Sequence, residues 1–134
     1  MWPFKRKEIW EVSKILRKDG SQMGTRLLRR HAKANRSEYP DLVYCTMTFD
    51  GELPRGSQWE VLSEVDDCLE QLESLLGFLV VGVMTMDGKR DSILYAKDGQ
   101  NLMTELHQRL GDKGVQLECT ADPAWSQYRD LAKL

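Results

Sequence analysis

The sequence lacks every short motif from which a chemistry is usually read. It has no Gly-x-Ser-x-Gly elbow, no P-loop and no dinucleotide fingerprint. Neither histidine, His31 or His107, has a second ligand three or four residues away to begin a metal site. His107 follows Met103 by one helical turn and reads as a boundary residue. Cysteine is scarce. Cys45, Cys68 and Cys119 are odd in number, far apart and set in apolar runs, which suits reduced core residues better than a disulfide framework or a redox pair. No cofactor or metal is therefore expected, and an enzyme is the weaker reading, although a spatial Cys–His pair is invisible at this level.

Long apolar runs are also missing. No segment approaches the roughly 18 residues of a membrane span. The basic start, Met1 to Lys7, is followed by no apolar stretch, so no secretory signal is expected and the cytoplasm is the default compartment. Trp2 and Phe4 beside Lys5, Arg6 and Lys7 read as a flexible terminus over 1–8, with a membrane or partner contact as the other reading. Repeats, low-complexity tracts and Ser/Gly linkers are absent, and 134 residues suit a single domain spanning 1–134.

Charge is present but unevenly placed. Residues 1–36 carry eleven Lys and Arg against Glu8, Glu11 and Asp19, a balance of +8; residues 37–134 carry eight against eighteen, a balance of −10. Two readings compete: the basic segment lies against an acidic body, or it is an arm for a polyanion.

The strongest periodic signal is a helix over Ser57–Leu76. Val61, Leu62, Val65, Cys68, Leu69, Leu72, Leu75 and Leu76 recur at spacings of three and four, Ser57 and Glu60 form a capping-box pattern, and Gly77 ends the run. Before it, Leu42–Phe49 alternates as a half-buried strand with Val43, Cys45, Met47 and Phe49 toward the helix. After it, Phe78–Met86 is apolar on both parities, Asp87-Gly88 signals a hairpin, and Asp91–Lys97 returns. A second amphipathic helix from Gln100 carries Leu102, Met103, Leu106 and Leu110 and stops at Gly111–Gly114, and Val115, Leu117 and Cys119 mark a last strand. The order over 42–120 is strand, helix, strand, strand, helix, strand. It predicts an α+β, ferredoxin-like βαββαβ antiparallel sheet with both helices on one face.

Ahead of this core, 9–36 reads as a hairpin about Asp19-Gly20, with 23–33 either its second strand or a short basic helix. Behind it, 122–134 reads as a terminal helix with Asp122 as its cap and Pro123 at its first position.

Several short motifs carry a resemblance. Gly88-Lys89-Arg90-Asp91 with Tyr95, and Asp122-Pro123-Ala124-Trp125-Ser126-Gln127-Tyr128, supported by Tyr39-Pro40 and Leu53-Pro54, resemble the bacterial domain-of-unknown-function family 695 from Trp10 onward. That resemblance implies a ferredoxin-like module and no assigned activity. In element order and acidity the chain is also similar to the regulator of ribonuclease E activity B, a protein inhibitor of an RNA-degrading enzyme, but it departs from that pattern in lacking the glycine-rich close.

Three candidate sites follow. The long helix presents Glu60, Glu64, Asp66, Asp67, Glu70 and Glu73 with no basic residue among them, a one-sign run that repels itself. It is either a solvated face neutralised by the basic N-terminal segment, or a docking face centred on Glu60, Glu64, Asp67 and Glu70 for a basic protein partner, as in an inhibitor or immunity-type protein. Tyr44 and Tyr95 are expected side by side on the helix-free face of the sheet, where RNA-recognition modules stack bases; packing under the N-terminal hairpin is the competing reading. Trp125 and Tyr128 are expected to staple the chain end onto the sheet near Trp10, and Arg90, Tyr95, Trp125 and Tyr128 could instead rim a small anion pocket. The favoured function is a non-catalytic binding or regulatory domain acting through protein contacts, with RNA binding or a small enzyme as alternatives, as a monomer or a homodimer.

Overall fold

The computed structural model describes residues 9–30 and 35–134. The terminus at 1–8, with Trp2 and Phe4, and His31 and Lys33 lie outside the described residues. Strands β1 (Ile9–Leu16) and β2 (Gln22–Arg30) pair antiparallel about Asp19-Gly20, with Gly20 at φ 88°. The second arm is thus a strand through Arg30 and not a basic helix. Then follow β3 (Asp41–Thr48), α1 (Gln58–Leu76), β4 (Phe78–Met86), β5 (Lys89–Ala96), α2 (Gly99–Leu110), β6 (Gln116–Ala121) and α3 (Ser126–Lys133). The strands form one antiparallel sheet in the order β1-β2-β4-β5-β3-β6. The fold is α+β, and among the described residues no helix is long and apolar enough to cross a membrane.

Strand alternation divides the core into two layers. On one face Val43, Cys45, Met47, Val80, Val83 and Leu94 meet Leu62, Val65, Leu69 and Leu72 of α1 and Leu102, Leu106 and Leu110 of α2. On the other, Leu28, Leu42, Val81, Ile93 and Tyr95 meet Trp125, Tyr128 and Leu131. The double-sided apolar character of β4 follows from this, because a strand covered on both faces cannot afford polar alternation. A register shift between Val80 and Gly82 brings Gly82 as well as Val81 to the α3 side, and a Cβ at Gly82 would overlap the Leu131 side chain, so the missing side chain is what lets α3 approach.

Three local expectations change. Ser57 lies in αR and makes no side-chain cap: the Gln58, Trp59 and Glu60 N–H groups already donate to Arg55, Gly56 and Ser57 carbonyls, so a turn through Gly56, at φ 54°, leads directly into the helix. Gln58 Oε1 instead accepts from the Arg55 N–H at 2.7 Å. The apolar stripe of α1 is narrower than its spacing implied, since Val61 and Leu75, at its margins, are 37% and 76% exposed. Finally, Pro123 is not the first residue of α3. Asp122–Trp125 form a turn closed by the Trp125 N–H on the Asp122 carbonyl at 3.0 Å, and the helix begins at Ser126.

The narrower stripe is testable by paired truncation. Leu69→Ala and Leu72→Ala should each destabilise by about 2–5 kcal/mol in chemical unfolding, whereas Leu75→Ala should fall within about 0.5 kcal/mol of wild type. A Leu75 variant as damaged as the other two would contradict this packing.

Candidate functional site

The acidic helix face does not act as one surface. Asp66 and Glu73, seven residues apart, lie along the flank of α1 that faces the sheet, and each meets a buried arginine. Arg90 of β5 donates to Asp66 Oδ2 at 2.7 Å and to Thr85 Oγ1 at 2.8 Å. Arg29 of β2 grips Glu73 at 3.2 and 3.3 Å, while Glu73 also accepts the Val80 N–H at 2.7 Å. Burial raises the Asp66 pKa despite the Arg90 guanidinium beside it. Glu64 is exposed and pairs with Lys113 at 2.6 Å, beyond the end of α2. Glu60 and Asp67 face solvent and Glu70 is half-buried, and among the described residues no ion pair joins any of the three. Trp59, 46% exposed, extends this outer surface beside Arg90, whose guanidinium lies 5.9 Å from the ring centroid.

Among the described residues of the basic N-terminal segment, Arg17, Arg26, Arg29 and Arg30 are likewise paired internally. Arg17 pairs with Glu52, and Arg26 and Arg30 share Glu11 across the hairpin. Arg26 also donates to the Leu131 and Leu134 carbonyls at 2.7 and 2.9 Å, and Arg30 to the Ala132 carbonyl at 3.3 Å, so two guanidiniums close the C-terminal end of α3 and answer its dipole.

The expected pocket of Arg90, Tyr95, Trp125 and Tyr128 is not assembled. Arg90 and Tyr95 are five apart on one strand and point to opposite faces: Arg90 toward α1, Tyr95 toward α3. The other three form a clasp. Tyr95 and Trp125 stack with centroids 4.2 Å apart and planes 17° from parallel, and Trp125 meets Tyr128 edge-on at 5.6 Å. Trp125 holds a left-handed φ of 57°, its Nε1–H donates to the Tyr39 carbonyl at 2.9 Å, and Arg36 lies 5.1 Å from its ring. Tyr128 Oη donates to the Arg29 carbonyl at 2.6 Å. At the centre, Asp122 accepts from Tyr95 Oη at 2.6 Å and from the Ser126 and Gln127 N–H groups at 2.9 and 3.0 Å, doing for α3 what an N-cap does although it stands four residues before the helix. Trp10 is no part of this clasp; it lies on the α1 face under Arg29, 5.1 Å from ring centroid to guanidinium.

The aromatic platform is also filled. The sheet face expected to be free of helices carries α3, Tyr95 is fully buried beneath Trp125, and Tyr44, half-buried, stands near Asp91, Asp122 and Glu118. Its pKa is raised by burial first and by those carboxylates second.

Comparison with known families matches residues 17–132, nearly the whole chain, to one model. The chain belongs to DUF695, a family of unknown function. No curated protein and no solved structure matches it. The motifs that carried the DUF695 resemblance have structural employment here: Asp122, Trp125 and Tyr128 build the clasp, Tyr39 supplies its carbonyl acceptor, and Arg90 is spent on Asp66. In this chain they hold α3 and α1 to the sheet. Among the described residues no three His, Cys, Asp or Glu side chains converge to hold a metal. Cys45 is buried, and desolvation pushes its thiol up to about 12, which favours the protonated form. One feature of this DUF695 fold that no sequence pattern indicated is an open groove beside α3, assembled from β3, the β4–β5 hairpin and the last turns of the chain.

The clasp has a pH signature. Burial pushes the Asp122 carboxyl up, but its hydrogen bonds from Tyr95, Gln127 and Ser126 outweigh this and hold it below 3.8. A carboxyl lowered by folding stabilises fully above its unfolded value and loses that contribution as pH falls through the folded value. The melting temperature of the wild type should therefore fall on acidification below pH 3.8 more steeply than that of Asp122→Asn. Parallel curves for the two proteins would remove Asp122 from the account.

Proposed function

We propose that this chain is a non-catalytic binding domain that acts through protein contacts, with the outer face of α1 as its docking surface for a basic partner. The observation that carries the reading is the sorting of the α1 carboxylates. Asp66 and Glu73 are turned inward and neutralised, whereas Glu60, Asp67 and Glu70 stay outside with no cation brought to them by the described residues, next to an exposed Trp59. A partly apolar anchor within a ring of one charge is the composition from which long-range steering and a buried contact can both be drawn. Glu64 belongs to the same face, although Lys113 already screens it.

The frame we infer for this surface is ferredoxin-like. The β3-α1-β4-β5-α2-β6 succession, the strand order β4-β5-β3-β6 within the larger sheet, and the packing of α1 and α2 against one face support it. The RNA reading draws less support, because its stacking residues are buried or faced by carboxylates, which repel phosphate.

The test separates outer from inner carboxylates. A variant carrying Glu60→Gln, Asp67→Lys and Glu70→Lys should keep its melting temperature within a few degrees, since no described ion pair is broken. In affinity capture from the native cell at low salt it should lose a basic protein that the wild type retains and that high salt also releases. Glu73→Lys should instead destabilise the fold by about 3–5 kcal/mol by replacing the carboxylate on the buried Arg29 with a like charge. Identical captured proteins for wild type and the triple variant, at both salt levels, would end the docking proposal.

A further inference from the structure

The face of the sheet that carries α3 is not wholly covered. Between α3 and the β4–β5 hairpin lies a groove of about 320 Å³, within the range of small-molecule sites. Its floor is apolar: Met84 and Met86 of β4 and Ile93 of β5, with the Tyr44 ring from β3 and Leu131 from α3 as walls. Thioethers on unbranched side chains adapt to an irregular alkyl body, so this floor suits an apolar chain without demanding one shape.

The rim has the opposite character. Asp87 at the hairpin turn, Asp91 of β5 and Asp130 of α3 line the groove from three different elements without meeting at one point, and Lys89 is the single cation among its lining residues. Asp91 is not a free surface carboxylate: the Thr46 hydroxyl donates to it at 2.6 Å and fixes its place on the wall. Glu118, opposite Tyr44 across the β3–β6 pairing, and Asp122 add negative potential at the Tyr44 end. A concave apolar surface rimmed by carboxylates disfavours anions and leaves neutral apolar molecules without use for the rim. It does not suit a metal ion, since no three ligand side chains converge among the described residues.

We propose that this groove binds a small organic cation, an ammonium or guanidinium head on a short alkyl body, with Asp91 and Asp130 receiving the head and Met84, Met86 and Ile93 the body. The groove lies on the face of the sheet opposite α1, so this site is independent of the docking surface there. Lys89 sets its strength: as the one like charge in the lining it repels the head, so removing it tightens binding.

The experiment titrates the purified chain with n-hexylamine, n-hexanol and hexanoate, which share a body and differ in head charge, following affinity by calorimetry and location by amide chemical shifts. Hexylamine should bind at least tenfold more tightly than hexanoate, with shifts centred on Tyr44, Met84, Ile93 and Asp130. Asp91→Asn with Asp130→Asn, which keeps an acceptor for Thr46, should abolish that preference while leaving hexanol binding and the melting temperature unchanged. Lys89→Met should strengthen hexylamine several-fold. If the double variant is unstable, Asp130→Asn alone, on the exposed side of α3, should still reduce the preference at least threefold. Equal affinities for amine and carboxylate in the wild type, shifts centred elsewhere, or a preference that the Asp130 change reduces by less than threefold would overturn the proposal.

Discussion

Three arginines buried in the sheet decide where the helices sit. Arg26, Arg29 and Arg90 are almost wholly withdrawn from water, and a guanidinium in that position is tolerable only if acceptors meet it in good geometry. Each obtains them from a helix: Arg90 and Arg29 from Asp66 and Glu73 of α1, Arg26 from the last carbonyls of α3. Apolar packing alone would let α1 slide along its own stripe, because leucine against valine is tolerant of small shifts. Two ion pairs seven residues apart on one flank fix both its rotation and its position along the sheet.

The same demand explains why α3 lies where an open platform was expected. The hairpin β1–β2 widens the sheet beyond the four strands of the core, and this puts Arg26 and Arg30 on the face opposite α1, where they can be met only by something that covers it. The C-terminal end of α3 carries the needed carbonyls, and the Tyr95–Trp125–Tyr128 stack with Asp122 holds its N-terminal end. A helix of eight residues has too little apolar surface to dock firmly by burial alone. Besides the local Asp122, it is held by Tyr95 and Arg29 at one end and by Arg26 and Arg30 at the other, all distant in the chain.

What the sequence made legible was local. The period of α1, the alternation of β3, the two-faced apolar run of β4 and the Asp-Gly turns each depend on neighbours within a few residues, and each formed. The opposed orientation of Arg90 and Tyr95 was also available, since an odd separation within one strand sends side chains to opposite faces; the pocket reading overlooked it. Asp66 and Glu73 carried a similar signal, for they border Val65, Leu69 and Leu72 at helical spacing while Glu60 and Asp67 fall farther round. The capping box failed for a different reason. Its residues were correct, but Arg55 and Gly56 had already entered the turn, which deprived Ser57 of the extended backbone that a cap requires. The groove had no sequence signature because Tyr44, Met84, Asp91 and Asp130 meet only through sheet order and the placing of α3.

The lopsided charge map now has a physical outcome. Arg26, Arg29 and Arg30 of the basic segment, and Arg90 from the acidic remainder, are turned inward or shared within the hairpin, so the most strongly hydrogen-bonding cations are withdrawn from contact with other molecules. The carboxylates they meet, Glu11, Asp66 and Glu73, are fewer than the carboxylates the chain carries, and much of the remainder has no buried arginine to meet. On the two faces of the sheet that remainder collects differently: along a convex helix as Glu60, Asp67 and Glu70, and around a concave apolar floor as Asp87, Asp91 and Asp130. Curvature then separates their chemistry. A convex acidic ridge beside an exposed tryptophan meets an extended complementary surface, whereas a walled concavity concentrates its field on one small charge and offers the apolar contact to hold what carries it.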